Sequence, residues 1–227
     1  MKQLKNQKGF TLVEIAIVLV IIGLLLGGVL KGQELIEQSK IKRVVNDFNS
    51  ISAAIYTYQD RYKFLPGDDS SAAVRWPAAI AGGAGVVSGN GDAIITATRA
   101  QLLDGGANEG GYAWQHLRAS GLITGDMSTV ASSELPEQTP FNSNYGIGVS
   151  NTVLGFGIVP MFCASLPPKA AEQLDRQLDD GKPGTGNIRA GAPSATKDTD
   201  PAAAAPAAAT VYVDDPATPW YTSCKKF

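Results

Sequence analysis

The chain has 227 residues, a length that suits one domain with a packed core and falls short of an obvious pair of domains. Its formal charge is −2, from 19 basic and 21 acidic side chains, and this balance argues against a dedicated nucleic-acid surface. One histidine and two cysteines are too few for a Cys/His metal site.

A long apolar run, Phe10–Leu30, begins near the N-terminus, and Glu14 is its only charged residue. A carboxylate at helix depth in hydrocarbon costs roughly 2.5–3.5 kcal/mol on insertion scales, so its presence indicates a function and requires a partner. Basic residues Lys2, Lys5 and Lys8 precede the run, and no small-residue cleavage site follows it. We therefore predict a retained membrane anchor with a cytoplasmic flank and a globular part outside the cytoplasm.

Cleavage after Gly9 would supply the missing partner of Glu14. Phe10 would then carry a free α-amine, which is cationic near neutral pH. Residues four apart share a helix face, so this amine would pair with Glu14 of its own chain or of a neighbouring chain. Loss of Met1–Gly9 removes three basic residues and no acidic one, which leaves a mildly acidic mature chain.

The segment Lys8–Glu14, KGFTLVE, resembles the processing and methylation motif of prepilins, the precursors of type IV pilins and of type II secretion pseudopilins. The resemblance implies that a prepilin peptidase cuts between Gly9 and Phe10 and methylates the new Phe10 amine. It also implies that Glu14 neutralises the N-terminus of a neighbouring subunit during filament assembly. Three later segments are similar to parts of pilin-like proteins of Gram-negative bacteria: Gly89–Ala93, Trp114–Gly125 and Leu174–Ala190.

The helix is predicted to continue to about Tyr62, because residues 31–62 contain no proline and their apolar residues recur at alternating spacings of three and four. A small sheet is expected to pack on this stripe. The turn sequence Phe64–Asp68 should end the helix. The stripe consists of Ile41, Val44, Phe48, Ile51, Ile55, Tyr58 and Tyr62.

Further elements are predicted in the remaining chain. The sequence indicates a short helix at Tyr112–Ser120, another at Pro168–Asp179, and at best a short helix within Ala97–Leu103. Two β-rich runs separated by Asn151 and Thr152 predict a hairpin that Pro160 ends. Glycines of these runs (Gly146, Gly148, Gly155 and Gly157) suggest close approach of the long helix. The predicted strands are Tyr145–Ser150, Val153–Val159, Ile188–Ala190 and Thr210–Val213.

Cys163 and Cys224 form an even pair in a region expected to be exported, where disulfides persist, and we favour a bridge over two unpaired thiols. Pilins similarly close a C-terminal region with a disulfide. Residues 191–209 consist mostly of Ala, Pro, Thr, Asp and Ser, a composition that buries too little apolar surface to fold alone. They predict an exposed loop inside the closed region.

No arrangement of residues indicates catalysis. His116 is the only histidine and lies on a predicted amphipathic helix, where packing is the usual role. The paired carboxylates Asp68–Asp69 and Asp179–Asp180 lie at turns or helix ends, where Asp commonly bonds backbone. We expect a non-enzyme without a cofactor.

Calcium is the one metal that the sequence leaves open. Asn90 and Asp92, or Asp179 and Asp180 with loop carbonyls, would supply oxygen ligands. Some pseudopilins carry a calcium site in a late loop. The EF-hand spacing is absent, so the simple turn interpretation is favoured.

These observations predict an α+β, pilin-like fold with a long N-terminal helix on a small antiparallel sheet. The expected division is a leader at 1–9, a transmembrane and assembly half-helix at 10–30, an amphipathic half-helix at 31–62 and a head at 63–227. The resemblance implies a filament subunit of the inner membrane whose partners are a prepilin peptidase, an assembly platform and copies of itself or other pilins. The alternatives are a secretion pseudopilin or a minor tip pilin that acts as an adhesin or in DNA uptake.

Overall fold

The computed structural model describes residues 11–80, 83–98, 101–149, 153–198 and 211–227. By contact, the chain divides into two compact units, Met1–Lys40 and Ile41–Phe227. Gly9 and Phe10, which carry the predicted cleavage and methylation, lie outside the described residues. The helices are α1 Leu12–Tyr62, α2 Ala72–Arg75, α3 Gln101–Asp104, α4 Glu109–Ala119, α5 Val130–Ser133 and α6 Pro168–Leu178, and the strands are β1 Tyr145–Val149, β2 Pro160–Leu166, β3 Ile188–Ala190 and β4 Tyr221–Lys226.

Helix α1 confirms the long N-terminal helix and its end at Tyr62. The next residue, Lys63, has a positive φ of 65°, which a helix does not continue through, and Pro66 follows. The predicted stripe faces the core: its first six members are buried and Tyr62 is half-buried against the same core.

The sheet is antiparallel throughout, with strand order β1-β2-β4-β3. Phe162 and other alternate residues of β2 share one core with α1, and the rings of Phe48 and Phe162 lie 4.7 Å apart edge to face. The Tyr145 hydroxyl donates a hydrogen bond of 2.8 Å to Asp47 Oδ2, which ties β1 to α1. A long helix on a small antiparallel sheet is therefore the observed α+β architecture.

A second, smaller cluster lies on the opposite face of the sheet, because successive strand residues point to opposite faces. The Cys163–Cys224 disulfide lies in this cluster, at directly opposed positions of β2 and β4. The buried members of the cluster are Leu102, Leu103, Val153, Leu154, Met161, Cys163 and Cys224, with Phe156 packed against them.

The predicted hairpin is wrong in its second strand. Strand β1 ends at Val149, and its partner β2 begins at Pro160, the residue expected to end a strand. Residues 153–159 form turns instead, because Leu154, Gly155 and Gly157 adopt positive φ angles, which a strand excludes. Proline is tolerated as the first residue of a strand. Ser150, Asn151 and Thr152 of the prediction lie outside the described residues.

The glycines of the predicted hairpin do not lie against α1, although the sequence had suggested this approach. A Cβ added to Gly146 would lie 2.1 Å from the Leu102 carbonyl oxygen, and one added to Gly148 would lie 2.6 Å from Leu102 Cδ1. Close approach is therefore real in β1, but the neighbour is α3 on the face opposite α1. Gly155 and Gly157 lie in no strand.

The predicted fourth strand is also wrong. Residues 211–213 are not in a strand, and Thr210 lies outside the described residues. The fourth strand is β4, which pairs with both β2 and β3 near the C-terminal end. Its residues Thr222 and Ser223 are buried, so the central strand lacks the apolar alternation that would have marked it.

The short helices largely match the expectations. Helix α4 begins at Glu109 rather than Tyr112, since Asn108 caps it by accepting a hydrogen bond from the Gly111 N–H, and Gly121 follows its end with a φ of 73°. Helix α6 begins at Pro168 and ends at Leu178. The short helix expected within Ala97–Leu103 is α3. Of the predicted loop, residues 191–198 are described and are mostly exposed.

Candidate functional site

The N-terminal end of α1 is organised by Thr11 and Glu14. Thr11 directly precedes the first helical residue, and its hydroxyl accepts a hydrogen bond of 3.2 Å from the Glu14 N–H. Glu14 Oε2 in turn accepts hydrogen bonds of 2.8 Å from both the N–H and the hydroxyl of Thr11. These contacts form a reciprocal capping box, which satisfies N–H groups that the helix itself leaves unpaired.

The apolar residues that follow Glu14 are exposed along the helix. Side chains from Leu12 to Leu30 are exposed, and the helix has the length and composition of a membrane-spanning segment near the N-terminus. The next charges are Lys31 and Glu34, which pair with each other at 2.7 Å. Glu14 is thus a single carboxylate at one end of an otherwise apolar surface.

The disulfide predicted from the cysteine pair is present. Cys163 and Cys224 are joined, and both are completely buried. Because the two residues lie in the central strands β2 and β4, the bond ties the C-terminal strand β4 to β2.

His116 is a packing residue, as the sequence indicates. It is completely buried, its Nδ1 accepts a hydrogen bond of 2.9 Å from the Gly67 N–H, and its Nε2 lies 2.6 Å from the Val87 carbonyl oxygen. These partners fix the neutral tautomer with the proton on Nε2. Burial lowers the pKa of His116, although the hydrogen bond to Val87 opposes this effect.

Two buried carboxylates, Asp68 and Glu109, hold the turn 89–93, and the sequence had not indicated this pairing. Asp68 accepts hydrogen bonds from the backbone N–H groups of Gly91, Asp92 and Ala93 at 2.7–2.9 Å. Glu109 accepts one from Asn90 and another from Thr96. Burial nevertheless raises the pKa of Asp68. The sequence signal for this arrangement is Asp68 itself, which follows a Pro-Gly turn.

The same residues form the first group whose geometry would suit a cation. Ligand atoms of Asp68, Asp92 and Glu109 lie within 4.8 Å of one another. Every carboxylate oxygen of the three already accepts a hydrogen bond. The donors to Asp68 and Glu109 are the backbone N–H groups named above, and the donors to Asp92 are the Ile94 N–H and the Asn90 side-chain amide. The oxygen donors are of the kind that calcium prefers, but they are engaged by their own loop.

A second acidic group follows α6. Asp175, Asp179 and Asp180 also bring ligand atoms within 4.8 Å of one another. Asp175 is buried and accepts hydrogen bonds from the Gly181 N–H at 3.0 Å and the Tyr212 hydroxyl at 2.8 Å, and burial raises its pKa to about 6. The predicted calcium candidates Asp92, Asp179 and Asp180 thus lie in two groups. The first is extended by the buried Asp68 and Glu109 and the second by the buried Asp175, none of which the sequence had suggested as a ligand.

A cavity of about 460 Å³ lies beside the last turns of α1 within the head. Its ionisable lining residues, among those described, are Lys63, Tyr56 and Asp68. The Asp68 carboxylate is taken up by three backbone N–H groups, and Lys63 pairs with Asp60 at 3.1 Å. Both charged side chains of the described lining thus have partners of their own.

Comparison with known proteins matches the N-terminal segment. Residues 4–30 fit the family model described as the prokaryotic N-terminal methylation motif, the signature of type IV pilins and pseudopilins. No curated protein and no solved structure matches the chain at the level taken as significant. The chain carries the signature of a type IV pilin-like or pseudopilin precursor, and the motif implies processing by a prepilin peptidase and assembly with other pilins.

Proposed function

We propose that this protein is a structural subunit of a type IV pilus-like filament. A prepilin peptidase cuts it between Gly9 and Phe10 and methylates the Phe10 amine. The subunit waits in the inner membrane with its head in the periplasm, and an assembly platform then draws it into the filament. The observation that carries this proposal is Glu14, the one carboxylate in the exposed apolar run at the capped start of α1, within the residues that match the methylation motif.

Charge balance explains why the carboxylate would select the correct neighbour. An unpaired carboxylate in hydrocarbon is unfavourable by roughly 2.5–3.5 kcal/mol on insertion scales. The Phe10 amine of a neighbouring subunit would offset this cost only in the correct register, since only that register brings the two charges together. A buried charge that lacks its partner is strongly destabilising. Misregistered subunits would leave both charges unpaired.

The head supports a structural role rather than a catalytic one. His116 is engaged in packing, and the buried carboxylates Asp68 and Asp175 hold turns. The mature chain is mildly acidic, a charge balance that disfavours binding to a nucleic-acid backbone. We propose that the protein is not an enzyme.

The test is Glu14→Ala, expressed with the cognate assembly machinery. Cleavage, measured from the mass of the membrane-bound protein, should proceed as in the wild type, whereas the yield of sheared filaments should fall at least about ten-fold. Glu34→Ala is the matched control, since Glu34 lies on the same helix outside the apolar run and pairs with Lys31. Normal filament yield from Glu14→Ala would refute the proposed pairing.

A secretion pseudopilin is the second candidate, because the methylation motif is common to both classes. A strain that lacks this chain distinguishes them. Loss of surface fibres with normal protein secretion supports the pilus subunit. Accumulation of secreted proteins in the periplasm, with surface fibres intact, supports the pseudopilin.

A further inference from the structure

The Cys163–Cys224 disulfide is closed off from solvent on the sheet face opposite α1. Cys163 and Cys224 are both 0% exposed, although they lie on a face of the sheet that α1 does not cover. Two pieces of chain cover them, helix α3 and the segment Val153–Val159. Helix α3 contributes Leu102 and Leu103, and its main chain lies directly against Gly146 of β1. The segment Val153–Val159, here termed the lid, also packs over the disulfide.

The lid has little regular structure of its own. Leu154 has a φ of 49°, a left-handed conformation that residues other than glycine seldom adopt, and Gly155 follows with a φ of 64°. Among the residues that the structure describes, the backbone hydrogen bonds of the lid join Phe156 N to Val153 O and Val159 N to Gly157 O, both within the lid. Its closed position therefore depends on side chains.

Arg189 supplies the attachment. It lies opposite Cys224 in the β3–β4 register, so its side chain is on the disulfide face of the sheet. Its Nη1 donates hydrogen bonds to the carbonyl oxygens of Leu154 at 3.0 Å and Gly155 at 3.1 Å. Its guanidinium carbon lies 4.7 Å from the centroid of the Phe156 ring, within cation–π range. One side chain thus contacts three consecutive lid residues.

Apolar contacts also hold the lid, and Lys226 Nζ lies 5.9 Å from the centroid of the Phe156 ring. Val153 and Leu154 are completely buried against the disulfide cluster, and Phe156 packs on it. Ile158, in contrast, is 63% exposed and lies outside the cluster. The first half of the lid therefore forms the seal, and Arg189 holds that half.

We propose that the lid shields the Cys163–Cys224 disulfide from thiol reagents and that Arg189 keeps the lid closed. The controlled reaction is reduction by a dithiol. A thiolate of the dithiol attacks one cysteine sulfur, the S–S bond breaks, and the other cysteine leaves as a thiolate. The second thiol of the reagent, as a thiolate, then attacks the mixed disulfide and releases the remaining cysteine. The reagent closes into its cyclic disulfide, so two electrons and two protons pass from the dithiol to the cystine. The first attack requires access to a sulfur atom, which an open lid would provide.

The experiment follows reduction of the full chain in detergent micelles by dithiothreitol without denaturant. Free thiols are trapped at intervals with a maleimide and counted by mass spectrometry. Arg189→Met keeps an apolar stem but removes both carbonyl hydrogen bonds and the cation over Phe156, so reduction should accelerate about ten-fold or more. Lys226→Met is the matched control, because Lys226 lies 5.9 Å from the same ring on the neighbouring strand. Its rate should stay within about two-fold of the wild type.

Two further measurements separate lid opening from global unfolding. The wild-type reduction rate should be nearly constant in low urea if only the lid opens, since a small opening exposes little surface. Arg189→Lys, which keeps the charge, should give a rate between those of the wild type and Arg189→Met. Three results would each overturn the proposal: an unchanged rate in Arg189→Met, an acceleration no larger than its loss of global stability explains, or a wild-type rate that rises with urea as steeply as global unfolding. The urea series decides the matter even where a variant does not fold.

Discussion

The hydroxyl of Thr11 and the carboxylate of Glu14 complete each other's hydrogen bonds at the first turn of α1. Glu14 donates its N–H to Thr11 Oγ1 at 3.2 Å and receives the Thr11 N–H and hydroxyl on Oε2 at 2.8 Å. The carboxylate proposed to pair with a neighbour's amine therefore already has a local role in its own helix. The two roles are separable, because the cap needs an oxygen acceptor whereas the pairing needs a negative charge.

Two substitutions separate these roles. Glu14→Gln keeps a capping acceptor and loses the charge, so filament yield should fall at least about ten-fold while the helix start stays ordered. Thr11→Val keeps the charge and loses the hydroxyl cap, so the first turn should lose about 1 kcal/mol and filaments should still form. Filament yield and amide hydrogen exchange of the first turn, measured in micelles, check both expectations. Assembly by Glu14→Gln at the wild-type level would assign Glu14 to capping alone.

The disulfide gives a stability prediction. The two cysteines are 61 residues apart, and a loop of this length corresponds to about 4 kcal/mol in the loop-entropy model. The double variant Cys163→Ala with Cys224→Ala should lose about this free energy of unfolding in urea titrations, with some further loss from the smaller buried side chains. Added reductant should move the wild type towards the variant and leave the variant itself unchanged. A loss below about 1 kcal/mol would contradict the prediction.

The long helix was predictable because its apolar residues keep the helical period over many residues. The stripe from Ile41 to Tyr62 repeats over several turns, and a helical period sustained at that length has few alternative interpretations. The motif at Lys8–Glu14 is likewise local, so it needs no tertiary information. The helices at α4 and α6 carry terminal signals, Gly121 after α4 and Pro168 at the start of α6.

The predicted strands at Tyr145–Ser150 and Ile188–Ala190 are confirmed as β1 and β3, whereas the other two strand predictions failed for tertiary reasons. Strand β4 carries the polar residues Thr222 and Ser223 at buried positions, so its sequence lacks the alternation of apolar and polar residues that marks a strand. Its place in the sheet depends instead on backbone pairing with its two neighbouring strands. The lid was predicted as a strand from its composition, yet positive φ angles and the Arg189 contacts turn it over the disulfide. Asp68 and Glu109 were missed as partners of the 89–93 turn because that pairing joins three distant segments.

Calcium removal should leave the head unaffected. The carboxylates around the 89–93 turn accept hydrogen bonds on every oxygen, and Asp175 does so on both. A cation would have to compete with these donors for the same oxygens. The thermal midpoint should therefore agree within about 1 °C with a chelator and with excess calcium. Magnesium serves as the control for ionic strength, and a rise of several degrees with calcium alone would establish a site.

His116 should make stability fall in mild acid. Its Nδ1 accepts the Gly67 N–H at 2.9 Å, and protonation there would set two N–H groups against each other inside a buried cluster. Burial lowers the pKa of His116 in the folded state below its ordinary value of 6.5. The unfolded chain therefore binds more protons, and the contribution of His116 to stability is present above about pH 6.5 and is lost as the pH falls below it.

The comparison variant is His116→Asn, whose side-chain oxygen replaces the Nδ1 acceptor for Gly67 and does not titrate. The wild type should be more stable than the variant at about pH 7.5, because the variant loses the hydrogen bond to Val87 and the stacking of His116 on Tyr58. The difference in free energy of unfolding should shrink towards about pH 5, as the wild type alone takes up a proton on unfolding. Asp69 and Arg75, the charged groups that act on His116, are present in both proteins and cancel in the difference. Urea titrations at intervals across this range measure that difference, and a value independent of pH would show that His116 does not titrate with folding.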